Sequence, residues 1–147
     1  MQAGSIFTMI FLSLTRLRIR SVRYLPPFAL YAVRSRRQAS RTPGYLSGML
    51  LADRDRTFWT MTAWREMDAM RGFMTSGAHK SAMPHLLDWC DEASVAHWEQ
   101  EELSLPSWDE ADRRMREIGR ASKVKYPSPD HAGLSYRKPR TSGSVPI

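Results

Sequence analysis

The sequence is short of cysteine, of long apolar runs and of glycine-rich loops. Its single cysteine, Cys90, excludes a disulfide framework within the chain and any zinc or iron–sulfur centre built from its cysteines alone. No apolar run reaches the roughly 18 residues of a membrane-spanning helix, so no membrane association is expected. A phosphate-cradling glycine loop and internal repeats are both absent. Residues 1–14 carry no charged side chain. A secretory leader would start with positive charge, and no small-residue cleavage pattern precedes Arg16, so a cytoplasmic protein is expected.

What remains is an ordinary globular composition. Of the 147 residues, 42% are hydrophobic and 25% charged, enough for one domain with its own core. The net charge of +7 invites a nucleic-acid reading, but the excess is local. Residues up to Arg56 hold 10 of the 22 basic side chains and 2 of the 15 acidic ones; the remainder is nearly balanced. Arg16, Arg18 and Arg20 alternate, which puts them on one face of a strand. Arg34, Arg36, Arg37 and Arg41 sit on a predicted helix. No nucleic-acid motif accompanies them, so they read as a solvated face or as partners for acids elsewhere in an oligomer, and nucleic acid is not an expected partner.

Alternation and helical spacing predict seven elements: a strand over residues 10–21, a helix over 28–40 after Pro26 and Pro27, and a hairpin over 45–52 and 57–64. A helical stretch over 66–90 follows, broken near Ser76-Gly77 with Ser76 as its cap. A fourth strand covers 93–103, and a last helix, opened by the Ser107/Glu110 capping box, runs to about 122 with Met115 and Ile118 inward. Residues 1–9 form an extension without regular structure, with Met9 as an alternative start. The domain covers 10–125. Residues 126–147, rich in Pro, Ser and Gly, read as a disordered basic tail.

This order is the α+β, ferredoxin-like β-α-β-β-α-β pattern with an extra C-terminal helix and a four-stranded antiparallel sheet. Phe58, Thr60, Thr62 and Trp64 point one way, Trp59, Met61 and Ala63 the other. A sheet with bulk on both faces needs covering twice, which predicts a homodimer joined sheet to sheet.

Three segments carry a resemblance: Phe58-Trp59-Thr60-Met61-Thr62-Ala63-Trp64, then Met70-Arg71-Gly72-Phe73, then Ser76-Gly77-Ala78-His79. Together they resemble the dimeric α/β-barrel superfamily of antibiotic-biosynthesis-monooxygenase-like and haem-degrading proteins. The run from Trp89 to Ser94, leading into Val95-Ala96-His97-Trp98, is most similar to an uncharacterised branch. The resemblance implies a homodimeric α/β barrel with an apolar pocket between sheet and helices. It further implies an oxidoreductase, a cofactor-independent monooxygenase-like protein acting on a small apolar or aromatic molecule. A non-catalytic protein holding such a ligand, possibly haem, is the alternative.

In such a pocket a histidine suits the proton-acceptor role, because its pKa lies near neutrality. His79, after the helix break, and His97, mid-strand, are the catalytic candidates. Each has a structural competitor: His79 as a partner for a backbone carbonyl, His97 as an interface histidine. Trp64, Phe58, Phe73, Met83 and Trp98 are the substrate-binding candidates, although tryptophans and methionines at these spacings also serve as core. His85 reads as a helix-surface residue. No cofactor and no metal is expected. Aligning Trp64 with the strand end of the haem-degrading proteins puts Phe73 where their tryptophan falls and Met83 where their histidine ligand falls, a departure from the haem pattern.

Overall fold

The computed structural model describes residues 9–147. The chain begins with β1 (Ile10–Ile19), a 3-10 turn at Val22–Tyr24 and α1 (Leu25–Arg41). A hairpin of β2 (Tyr45–Asp53) and β3 (Thr57–Trp64) follows, then α2 (Met67–Met74), α3 (Gly77–Trp89), β4 (Cys90–Gln100), α4 (Trp108–Ile118) and two short strands, β5 (Arg120–Ala121) and β6 (Val145–Pro146). One antiparallel sheet has the order β5-β4-β1-β3-β2-β6. The central β4-β1-β3-β2 block is the α+β arrangement expected. The expectation of four strands is corrected by β5 and β6, which extend opposite margins of that block.

Local chemistry explains the boundaries. Pro26 and Pro27 fall in the first turn of α1, where a missing N–H does no harm. The β2–β3 turn places Asp55 and Arg56 at positive φ without glycine; Asp53 steadies it, accepting from the Arg54 amide at 2.8 Å and the Trp59 indole at 3.3 Å. Ser107 caps α4 as anticipated, accepting from the Glu110 amide at 3.1 Å. Ser76 precedes α3, but its hydroxyl turns back to the Gly72 carbonyl at 2.6 Å. The capping is done by Gln38 of α1, whose amide nitrogen donates to the Phe73 and Ser76 carbonyls at 3.0 and 2.8 Å and whose oxygen accepts from the His79 amide at 2.9 Å. The helix ends at Trp89, close to its expected limit, and β4 begins at Cys90 rather than at residue 93.

The register assigns every strand residue to a face. Phe11, Ser13, Thr15 and Leu17 of β1 oppose Trp64, Thr62, Thr60 and Phe58 of β3, and Ser13 opposes His97 of β4. These residues share the face packed by α1, α2 and α3, since Phe11 and Trp64 cluster with Ala39, Met70 and Phe73, and Phe58 clusters with Phe28, Tyr31 and Trp89. The opposite face presents Leu12, Leu14, Leu51, Trp59, Met61, Ala96 and Trp98.

That second face is covered by the chain itself. Trp108, Ala111 and Met115 of α4 pack on it beside Tyr136, and all are buried. This corrects one expectation and removes the ground given for another. The segment after residue 126 is not a disordered tail: it crosses the sheet, buries Tyr136, and ends with β6 paired to Met49 and Leu50 of β2. The apolar face that called for a second copy is already covered within the chain, so the argument for sheet-to-sheet dimerisation loses its premise. Ile118, expected inward, is 49% exposed, because the helix stripe that meets the sheet is Trp108, Ala111, Met115.

The crossing segment is tied down by polar contacts. The Ser128 hydroxyl donates to Glu92 at 2.6 Å, Arg116 to the Tyr136 carbonyl at 2.9 Å, Arg54 to the Lys138 carbonyl at 2.7 Å, and the Ile147 amide to the Gly48 carbonyl at 2.9 Å. The acids that meet the N-terminal arginines belong to the same chain: Arg16 pairs with buried Glu92 at 2.6 Å, Arg18 with Glu92 and Asp91, and Arg20 with Asp88. The Arg16 guanidinium also lies 4.0 Å from the ring centre of Tyr136. The expected N-terminal extension comprises residues 1–8, which lie outside the described residues, and Met9, which is exposed. No helix among the described residues is long and apolar enough to cross a membrane.

Candidate functional site

The helix-facing side of the sheet is greasy at its two ends and polar in the middle. One end is a row of rings. Trp64 stands 5.4 Å from Phe73 and 5.5 Å from Tyr45, and its cross-strand neighbour Phe11 lies 5.3 Å from His97. The other end is Leu17, Phe58 and Phe28, with Phe58 and Phe28 4.9 Å apart. Between them lie two cross-strand pairs, Ser13 with Thr62 and Thr15 with Thr60, flanked on β4 by His97 and Val95. Thr62 is buried and accepts from the Trp64 indole nitrogen at 2.9 Å. Ser13, Thr15, Thr60, Val95 and His97 keep part of their surface open.

The helices leave this belt thinly roofed. Between buried Phe28 and Ala39, helical spacing directs Ala32 and Ser35 of α1 toward the sheet, and α3 contributes buried Ala82. Small side chains face this partly open polar floor between aromatic rings at both ends, an arrangement we read as a shallow candidate bay. Hydroxyls in the middle of a covered sheet face sacrifice apolar burial, which a core has no reason to do.

The two candidate histidines stand at opposite ends of one aromatic row: His97 against Phe11, and His79 against Phe73 at 4.6 Å. Burial holds the His79 pKa below its ordinary value, partly offset by a contact of Nδ1 with the Met74 carbonyl at 3.3 Å. A carbonyl only accepts, so Nδ1 carries the proton and Nε2 is the basic nitrogen. Burial also lowers the His97 pKa, and the positive charges of Arg120 and Arg71 lower it further. Both imidazoles are therefore neutral near pH 7 and able to accept a proton.

The other candidates divide. Trp64 and Phe73 wall the bay beside His79. Phe58 lines the same face at the far end. Trp98 is on the opposite face under α4, with Arg114 5.1 Å from its ring and its indole nitrogen donating to Gln100 at 3.2 Å. Met83 is 43% exposed on α3. Neither belongs to the bay. His85 is exposed and stacks on Trp89 at 4.9 Å, consistent with a helix-surface residue. Cys90 is fully buried, and burial pushes its thiol up to about 12, far from reactive. Sequence reasoning missed Ser13, Thr15, Thr60 and Thr62. Their signal was visible as hydroxyl residues alternating with large apolar ones in Leu12–Thr15 and Phe58–Met61, but face assignment needs the helices.

The described residues offer no cluster of histidine, cysteine or carboxylates suited to a metal ion. The donor set does not fit haem either: Met83 occupies the expected ligand position and faces outward, and Phe73 replaces the tryptophan. A groove of about 280 Å³ lies apart from the histidines, between Val33, Arg36, Arg37 and Ser40 of α1 and Ile147.

Comparison with solved structures supports the fold. SnoaB, a cofactor-independent oxygenase from Streptomyces nogalater solved in a mutant form, superposes with a TM-score of 0.54 at 17% identity, covering 66% of this chain and 97% of that one. A conserved protein from Methanosarcina mazei Go1 gives 0.56 at 9% identity, covering 65% and 97%. A candidate antibiotic biosynthesis monooxygenase from Caulobacter crescentus CB15 gives 0.55 at 13% identity, covering 67% and 96%. At these identities the likeness establishes a shared antibiotic-biosynthesis-monooxygenase-type fold, not a reaction. No curated protein matches the chain in sequence. The domain of unknown function DUF3291 matches residues 31–127, well over half of the sequence, and the chain belongs to that family.

Proposed function

We propose that this protein binds a small aromatic molecule in the helix-side bay and oxidises it with molecular oxygen, without a cofactor. The observation that carries this reading is the hydroxyl belt of Ser13, Thr15, Thr60 and Thr62, set between aromatic walls and next to a histidine held neutral. Fold likeness to a cofactor-independent oxygenase supports the reading.

The roles follow from the geometry. Phe11, Trp64 and Phe73, all buried, close one end of the bay and limit water, and a flat ring lies on the partly open hydroxyl floor. Threonine and serine hydroxyls hydrogen-bond the ring oxygens and polarise them. His97, at the edge of the belt, accepts the proton released when an activated ring carbon or its enol ionises. The resulting anion forms a C–O bond with oxygen; the peroxide takes up the proton and loses water, leaving a carbonyl where the substrate had CH₂. His79, behind Phe73, is the second acceptor at the far end of the ring row.

Oxygen uptake with anthrone-type and quinol substrates tests the proposal. His97→Ala should lower the rate about 10² to 10⁴-fold, the usual worth of a general base, and His97→Gln should not restore it. Full activity in His97→Ala refutes the assignment. The competing reading, a non-catalytic carrier, is favoured by one observation: Ser13, Thr15, Thr60, Val95 and His97 all keep part of their surface exposed. It is correct if aromatic ligands bind in the bay and no oxygen is consumed.

A further inference from the structure

Two arginines on different elements, Arg71 and Arg120, place positive charge on the side of the sheet that holds His97, and the mechanism above uses neither. Arg120 belongs to β5 and is the direct partner of Val95, so its side chain lies on the helix-facing side of the sheet. His97 is two residues from Val95 on the same face, a diagonal neighbour within reach of a long side chain. Arg71 comes from α2, one position from Met70 and two from Phe73, both packed in the Trp64 cluster. Both arginines are exposed, and neither forms an ion pair among the described residues. One acid shares this face, Glu99, opposite Phe11 on β4; it is exposed and pairs with neither.

Two unpaired cations beside a half-buried histidine are a poor arrangement for a base alone, since they oppose its protonation. They are a good arrangement for holding negative charge. We infer that Arg71 and Arg120 make the bay selective for an anion: its ligand is a flat aromatic carrying a carboxylate or an ionised enol or phenol, with the charged end toward His97 and the ring over the partly open Ser13, Thr15 and Thr60 hydroxyls. This rests on the reading of the bay as a ligand site and names the class of ligand. The arginines hold the charge of the anion, and His97 stays neutral to accept a further proton or pass one to water. Glu99 sits where it weakens that preference, not where it creates it.

An isosteric pair of ligands tests the inference. The affinities of 2-naphthoate and neutral 2-naphthamide are measured by calorimetry on the full chain at pH 7. The carboxylate should bind about tenfold more tightly, and the advantage should shrink as salt rises. Arg71→Gln and Arg120→Gln should each remove about three- to fivefold of the carboxylate affinity, the worth of one exposed ion pair, and leave the amide unchanged. Both residues are exposed, so the variants should fold, which their thermal melts verify. In the same variants the NMR titration midpoint of His97 should rise. Glu99→Gln should strengthen carboxylate binding. Equal affinities for the two ligands, or an advantage that survives in the double variant, overturn the inference while leaving the bay intact as a ligand site. Failure of both ligands to bind overturns the bay reading, and the inference with it.

Discussion

The C-terminal crossing is most sharply tested at Tyr136. Its ring is 5% exposed although it lies in a segment with no helix or strand periodicity. It stands edge-on to Trp59 at 5.5 Å and between the guanidiniums of Arg16, at 4.0 Å, and Arg116, at 4.2 Å. Tyr136→Ala removes the ring and opens the outer core. Large-to-small aromatic changes at buried sites cost about 3 to 5 kcal/mol; the crossing can partly collapse onto the gap, so about 3 kcal/mol is the expected loss. For a chain of this size that corresponds to a fall in Tm of about 6 to 12 °C. Tyr136→Phe keeps the ring and should cost less than about 1 kcal/mol. Thermal unfolding followed by near-ultraviolet circular dichroism, with the wild type measured beside both variants, reads the difference. An alanine variant melting within 2 °C of the wild type would refute the burial of this ring and the ordered crossing.

Other outcomes follow from the same contacts. Glu92→Gln leaves Arg16 buried without its counter-charge and should destabilise by about 3 kcal/mol in urea titration. Burial alone would raise the Glu92 pKa, but bonds from Ser128 and Arg16 and the charges of Arg16 and Arg18 bring it below the ordinary value. A carboxyl depressed in the folded state adds stability that is complete above its unfolded pKa and fades as pH falls through the folded one, so the wild-type advantage over Glu92→Gln should shrink below about pH 4.5. The depressed His97 works in the opposite sense for the charged form: stability falls as pH drops below about 6.5, where the unfolded chain takes up the proton first, and its NMR midpoint should lie below that value. Gln38→Ala should lower stability by about 1 to 3 kcal/mol by stripping two carbonyls and an amide of their partner, and amide exchange should quicken at His79. Trp98→Phe should lower Tm yet leave bay affinities unchanged, because it lies through the sheet from His97.

Alternation made the hairpin faces legible. Phe58, Thr60, Thr62 and Trp64 do share a side, and His97 and Trp98 do part company. Which side the helices cover was not legible, since adjacent residues on a strand look alike until something packs over one of them. That is why Trp98 was grouped with a bay it does not border. Met83 lies on the exposed side of α3, a helix whose start is capped by Gln38 from 38 residues before Ser76, a contact that no spacing within the helix announces. The crossing segment was invisible for a related reason. Tyr136 is held by Arg16 and Trp59, which are remote in sequence, and Pro, Ser and Gly around it give no period to read. The inference that two apolar faces need two covers was sound; the second cover was sought in another molecule, when it lay further along this one.

The path from β5 to β6 also bears on how the protein is made. Pairing Pro146 with Met49 closes a loop of about a hundred residues, a slow and entropically demanding contact that no local propensity speeds. During synthesis the strands bearing Leu14, Trp59 and Met61 emerge long before Tyr136 can lie over them. A chain cut short before Tyr136 would leave the part of that surface not covered by α4 open to water. The crossing therefore reaches late the surface it shields.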